Sequence, residues 1–211
     1  MYLHLCPMND KEEQILRLAR DVFMRFGLKS VTMDDVCREI GISKKTLYQY
    51  VSDKAELIQK ILELDIKEDE AMICESESNN LQAIDELLAI QKMVQKKINA
   101  IHTSVLYDLK KYYPETWAMI TRHRSGFIIN AIEQNMIRGQ QQGLYRTDIN
   151  PAILARIYVY RLEAVFDPAV FEGLNMNPSE IYAEAMRYHI RGIATSKGIQ
   201  YLEKTLSNSS Q

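Results

Sequence analysis

The chain has no apolar run approaching the roughly 20 residues that a membrane-spanning helix needs, so no membrane association is expected. Met1 to Met8 has neither a basic start nor a long apolar stretch, and no secretory leader is expected either. Cysteine is sparse. Cys6, Cys37 and Cys74 are odd in number, far apart and without a CxxC pair, which argues against a disulfide framework or zinc site and fits a reducing cytoplasm. With only 8 Gly and 5 Pro, collagen-like and low-complexity classes are excluded, and 46% hydrophobic against 26% charged residues excludes a wholly disordered chain. Net charge is also nearly absent, at −2, so any surface for nucleic acid has to be a local patch.

Catalytic signatures are missing as well. None of His4, His102, His123 and His189 stands in an HExxH or three residues after a glutamate, and there is no GxGxxG, GxxxxGK[ST] or GxSxG. No metal, cofactor or enzymatic activity is therefore expected.

What is present is helical periodicity, almost from end to end, with few of the alternating Val/Ile/Thr runs that strands require. The spacing predicts an all-α chain. Asp10 with Glu13 opens a first helix whose face is Ile15, Leu16, Ala19, Val22, Phe23 and Phe26, stopped by Gly27. Thr32 with Asp35 opens a short second helix ending at Gly41; Ser43 opens a third, to about Tyr50, and Ser52 a fourth. The most legible later helices are Thr116 to Gln142, Pro151 to Phe166, and Pro178 to about Ser196. From Met1 to Ala55 nine Lys and Arg balance eight Asp and Glu, whereas from Glu56 to Ala89 two face ten, which places a functional boundary near residue 55. The expected organisation is an N-terminal arm 1–9, a helix-turn-helix domain 10–55, a second helical domain 56–206 and a polar tail 207–211.

Thr32 to Leu57 is the informative segment. A short helix, a tight turn at Gly41 and a second short helix are the parts of a helix-turn-helix, whose second helix enters the DNA major groove. Leu47 faces inward in this reading, leaving Lys44, Lys45, Tyr48 and Gln49 to offer donors to phosphates and base edges. Thr32 and Lys54 stand at helix starts, where backbone amides favour a phosphate. A basic helix taken alone is more often just a solvated face; here order and spacing decide. Phe26-Gly27, Thr32, Val36, Gly41-Ile42-Ser43, Thr46-Leu47-Tyr48, Tyr50, Lys54 and Leu57 resemble the DNA-binding region of the tetracycline-repressor (TetR/AcrR) family of bacterial regulators. The sequence departs from that pattern at Cys37, Lys45 and Val51, where a small residue, a glycine and an aromatic are common.

The resemblance implies a homodimer on a pseudo-palindromic double-stranded DNA operator, usually repressing until a small-molecule effector binds. By it, Ser43, Lys44, Lys45, Thr46 and Gln49 are expected near bases or adjacent phosphates, with Gln49 as base reader, and Thr32, Tyr48, Tyr50 and Lys54 on the DNA backbone. It further implies that residues 56–206 bind the effector and dimerise. His102, Tyr107, Tyr113, Trp117 and Phe127 are the candidate effector lining, and Ile153, Ile157, Leu162, Ile181, Ala185, His189 and Ile193 the candidate dimer face. The alternative is a helical ligand-binding or protein-interaction module that kept the fold and lost operator binding. The outward donors Lys44, Lys45, Tyr48 and Lys54 argue against it.

Overall fold

A computed structural model describes residues 10–78, 81–102, 104–165 and 170–208, with the side chains of 77, 78, 162 and 163 excepted. The N-terminal arm, the last three residues and the Leu162 side chain therefore lie outside the described residues. Among the described residues, eleven α-helices and no strand occur: α1 (Asp10–Phe26), α2 (Met33–Ile40), α3 (Lys44–Leu47), α4 (Lys54–Ser78), α5 (Ala83–Ala100), α6 (Val105–Tyr112), α7 (Pro114–His123), α8 (Ile129–Gln141), α9 (Pro151–Val165), α10 (Pro178–Ile193) and α11 (Ser196–Asn208). A π-helical turn, Arg124–Ile128, joins α7 to α8, so the predicted single helix from Thr116 to Gln142 is interrupted there. No described helix is long and apolar enough to cross a membrane.

The chain divides into two compact units, one of Met1–Asp69 with Ala100–Ile120, the other of Glu70–Asn99 with Thr121–Gln211. The division differs from the single cut expected near residue 55, because α4 runs on as one helix and α6 belongs with α1–α3. A change of charge along a continuous helix marks no break in packing.

In the first unit the predicted apolar faces meet. Leu16, Ala19, Phe23, Val36, Leu47 and Leu57 are buried together with Val105 of α6. Burying one such leucine contributes about 1.5–3 kcal/mol, which is what keeps a helix as short as α3 in place. Polar ties fix α4 onto α1. Arg20 reaches Asp65 at 2.8 Å and Glu68 at 3.0 Å, and Lys60 reaches Glu12 at 2.8 Å and the Tyr50 carbonyl at 2.6 Å. Gly41 follows α2 in the left-handed region at φ 71°, with open space around it, so only the backbone conformation asks for glycine.

The second unit is built around α8, α9 and α10, with Ile84, Leu87, Ile132, Met136, Tyr158, Tyr182 and Met186 in its core. Asn135 is fully buried, and its side-chain amide is used. Its Nδ2 donates to the Ala83 carbonyl at 2.9 Å and to Glu86 at 2.8 Å, while Arg138 holds the same carboxylate at 2.6 Å. Gly139 leaves room for the Tyr145 ring, which any Cβ there would strike.

Candidate nucleic-acid interface

The start of α2 is set by a reciprocal cap. The Asp35 amide donates to Thr32 Oγ1 at 3.2 Å, and the Thr32 amide donates to the Asp35 carboxylate at 2.9 Å. These bonds to Thr32, with Arg38 alongside, hold the Asp35 carboxyl down at about 2. Thr32 remains exposed, but its hydroxyl and amide are already committed to Asp35.

Ser43 opens α3 by accepting the Thr46 amide at 3.1 Å, and its hydroxyl lies 2.9 Å from that of Thr46. The α-helix ends at Leu47, earlier than the predicted Tyr50. Bonds from Gln49 to Thr46 and from Tyr50 to Leu47 tighten the next turn to three-residue closure. Leu47 is buried, while Lys44, Lys45, Tyr48 and Gln49 are exposed on the opposite side, as the sequence predicts. Tyr50 is half-buried against the first-unit core.

The four cations of this segment are not equivalent. Lys44 pairs with Asp34 on α2 at 2.5 Å, a contact that holds its ammonium above the ordinary range. Arg38 pairs with Asp35. Lys54, expected to hold a phosphate, instead turns inward: its ammonium donates to the carbonyls of Leu28 and Val31 and lies over the Phe23 ring. Burial pushes its pKa down, although Asp108 and Asp35 pull the other way. It braces the α1–α2 loop. The side chains of Lys45 and Gln49 make no hydrogen bond or ion pair among the described residues and keep their full bonding capacity for a ligand.

Two residues that sequence reasoning passed over matter here. Asp34 is the second acid in the first turn of α2, spare once Asp35 has closed the cap, and that surplus was its visible signal. Asp53, not Ser52, caps α4 by accepting the Glu56 amide at 2.9 Å, while Glu56 accepts the Ser52 amide at 2.6 Å.

The residues expected to line an effector site fall in both units. His102 is exposed beside Ser104, and Tyr107 is exposed with its hydroxyl 2.9 Å from Lys111. Tyr113 and Trp117 pack against the first-unit core. Phe127 belongs to the second, stacked on His123 at 5.5 Å between ring centres. Of the expected dimer face, Ile153 and Ile157 point outward and Ile181 and Ala185 are half-exposed. His189 and Ile193, expected on the same face, instead turn into the core of their own unit, because they share the buried stripe of α10 with Tyr182 and Met186. Among the described residues no group of three or more His, Cys, Asp or Glu is placed to hold a metal ion.

A capped helix, a left-handed glycine turn and a short exposed cationic helix anchored by one leucine are the geometry of a helix-turn-helix DNA-binding protein. The family profile "Bacterial regulatory proteins, tetR family" matches residues 15–61. This part of the chain is a TetR-family DNA-binding domain, and the protein is a DNA-binding transcriptional regulator. It is 26% identical over 191 residues to the HTH-type transcriptional regulator UidR of Escherichia coli K12, covering 87% of this chain and 92% of that one. To the uncharacterized HTH-type transcriptional regulator YvaF of Bacillus subtilis it is 29% identical over 145 residues, 66% of this chain and 73% of that one. The fold is shared with a TetR-family transcriptional regulator of Agrobacterium tumefaciens at a TM-score of 0.66 and 20% identity, over 88% of this chain and 98% of that one.

Proposed function

We propose that the protein is a cytoplasmic homodimeric repressor that acts by binding and not by catalysis, and that a small-molecule effector held in the second unit releases it from a pseudo-palindromic operator. Two copies present α3 to successive major grooves. Gln49 reads a base through its amide, Lys45 and Lys44 meet phosphates beside it, and Ser43, Thr46 and Tyr48 complete the contact surface. The observation that supports this reading is an apolar stripe on the second unit. Ile153, Ile157 and Tyr160 of α9 are 54 to 55% exposed and one helical turn apart, and Tyr188 of α10 is 75% exposed. A matching stripe on a second copy buries these side chains in a four-helix arrangement. A single helix-turn-helix has too small a contact area for tight specific binding, so the second copy also serves the DNA contact.

The test is the pair Ile157→Glu and Gln49→Ala. The first is expected to give a folded monomer in sedimentation and to lose the gel-shifted complex with DNA flanking its own gene. The second is expected to stay dimeric and to lose discrimination at one position of each half-site, by about 1–3 kcal/mol. A dimeric Ile157→Glu, or a Gln49→Ala that weakens every sequence equally, defeats the corresponding assignment.

A further inference from the structure

The core of the second unit contains polar groups that its own packing leaves unanswered. The Nε2 of His189 and the Nε and Nη2 of Arg161 are buried and without a hydrogen-bond partner, and the buried hydroxyls of Tyr158 and Tyr182 meet only each other. They form one cluster between α9 and α10. The rings of Tyr158 and His189 are 4.7 Å apart, the Arg161 guanidinium carbon lies 6.0 Å from the centre of the Tyr158 ring, and Arg161 interacts electrostatically with Tyr182 and with Tyr188. Native proteins seldom leave buried donors unsatisfied, and here several occur side by side.

The chemistry of the set is one-sided. Nε–H and Nη2–H form the edge of a guanidinium that grips a carboxylate through two parallel bonds, and both are vacant. The two phenols engage each other and leave one neutral O–H donor over for a ligand; burial suppresses their ionisation. His189 is held neutral, first by burial and then by the Arg161 charge, which pushes its pKa down to about 3. No carboxylate among the described residues pairs with Arg161. The surroundings are apolar, with Val165, Met186 and Ile190 in the same core, which suits an organic acid better than a fully hydrated inorganic ion. Arg161 as a whole is only half-buried.

We propose that Arg161, with the hydroxyls of Tyr158 and Tyr182, forms the recognition centre for the carboxylate of a small organic acid carrying an apolar tail. The inference rests on the reading of the second unit as the effector-binding part and adds the ligand's chemical class.

Thermal shift on the full chain, with octanoate and benzoate beside octanamide, benzamide and inorganic phosphate, tests it, together with Arg161→Gln and Tyr182→Phe. At least one carboxylate is expected to raise the melting temperature by several degrees, with its matching amide and phosphate inert. Arg161→Gln is expected to melt higher than wild type without ligand, because an uncompensated buried charge is removed, and to bind the carboxylate at least tenfold more weakly. Tyr182→Phe should keep the fold and lose part of the affinity. Equal response to acid and amide, an unchanged carboxylate response in Arg161→Gln, a response to phosphate alone, or no response to any carboxylate overturns the proposal. So does an Arg161→Gln that shifts only the monomer–dimer balance, which would assign the guanidinium to a second copy. A carboxylate that binds through Arg161 without releasing DNA supports the site and sinks the effector reading. A neutral compound that releases DNA independently of Arg161 does the reverse.

Discussion

Lys44 and Lys45 are neighbours on α3, yet they differ in what DNA must do to engage them. Lys45 is unpaired among the described residues, whereas Lys44 must first leave Asp34. Asp34→Asn frees Lys44 without touching the Thr32–Asp35 cap. It is expected to tighten binding to all duplexes by several-fold at low salt, measured by fluorescence anisotropy on operator and unrelated DNA. Unchanged affinity would show that the pair does not oppose DNA. Lys54 calls for the opposite expectation. Lys54→Met leaves the Leu28 and Val31 carbonyls without their charged donor, so the variant should be less stable by about 1–3 kcal/mol in urea denaturation. A variant of native stability that binds every DNA more weakly would return Lys54 to the phosphate role.

At the scale of the helix, much was legible in sequence because caps and periodicity are local. α1, the Thr32–Asp35 start of α2, the Ser43 start of α3 and the proline starts of α9 and α10 all lie where their residues predict. What was hidden depends on contacts distant in sequence. The inward turn of Lys54 needs the carbonyls of Leu28 and Val31, and the π turn at Arg124–Ile128 is announced only by Gly126, which a helical pattern tolerates. α11 went unread because its residues follow directly on the end of α10, separated only by the short bend at Ala194 and Thr195. His189 belongs to this scale too, because the turn of α10 that carries it faces inward. Its folded pKa of about 3 lies below the ordinary 6.5, so the unfolded chain binds the proton more readily. Stability from this group is therefore complete above about pH 6.5 and declines as pH falls from there toward 3. Urea midpoints between pH 7 and pH 5 should fall in wild type and flatten in His189→Gln; parallel curves would refute a buried neutral imidazole.

At the scale of the whole molecule, a net charge of −2 gives DNA no general attraction, so in the proposed complex binding would depend on a few cations on one helix. If a dimer engages Lys44 and Lys45 of both copies, about four phosphates are neutralised. Affinity should then fall roughly a hundredfold between 50 and 200 mM salt. A fall of several thousandfold would show that cations outside α3 share the contact. The ion pair between Lys44 and Asp34 has one more consequence, for how such a protein searches a chromosome. The carboxylate is a tethered rival to phosphate, present beside every encounter regardless of sequence. If Gln49 reads a base as proposed, brief touches along ordinary duplex would have to displace the carboxylate for little return, while a matched site would offset the exchange. A regulator built this way spends less time stalled on irrelevant DNA, and its selectivity arises partly from a residue that never touches a base.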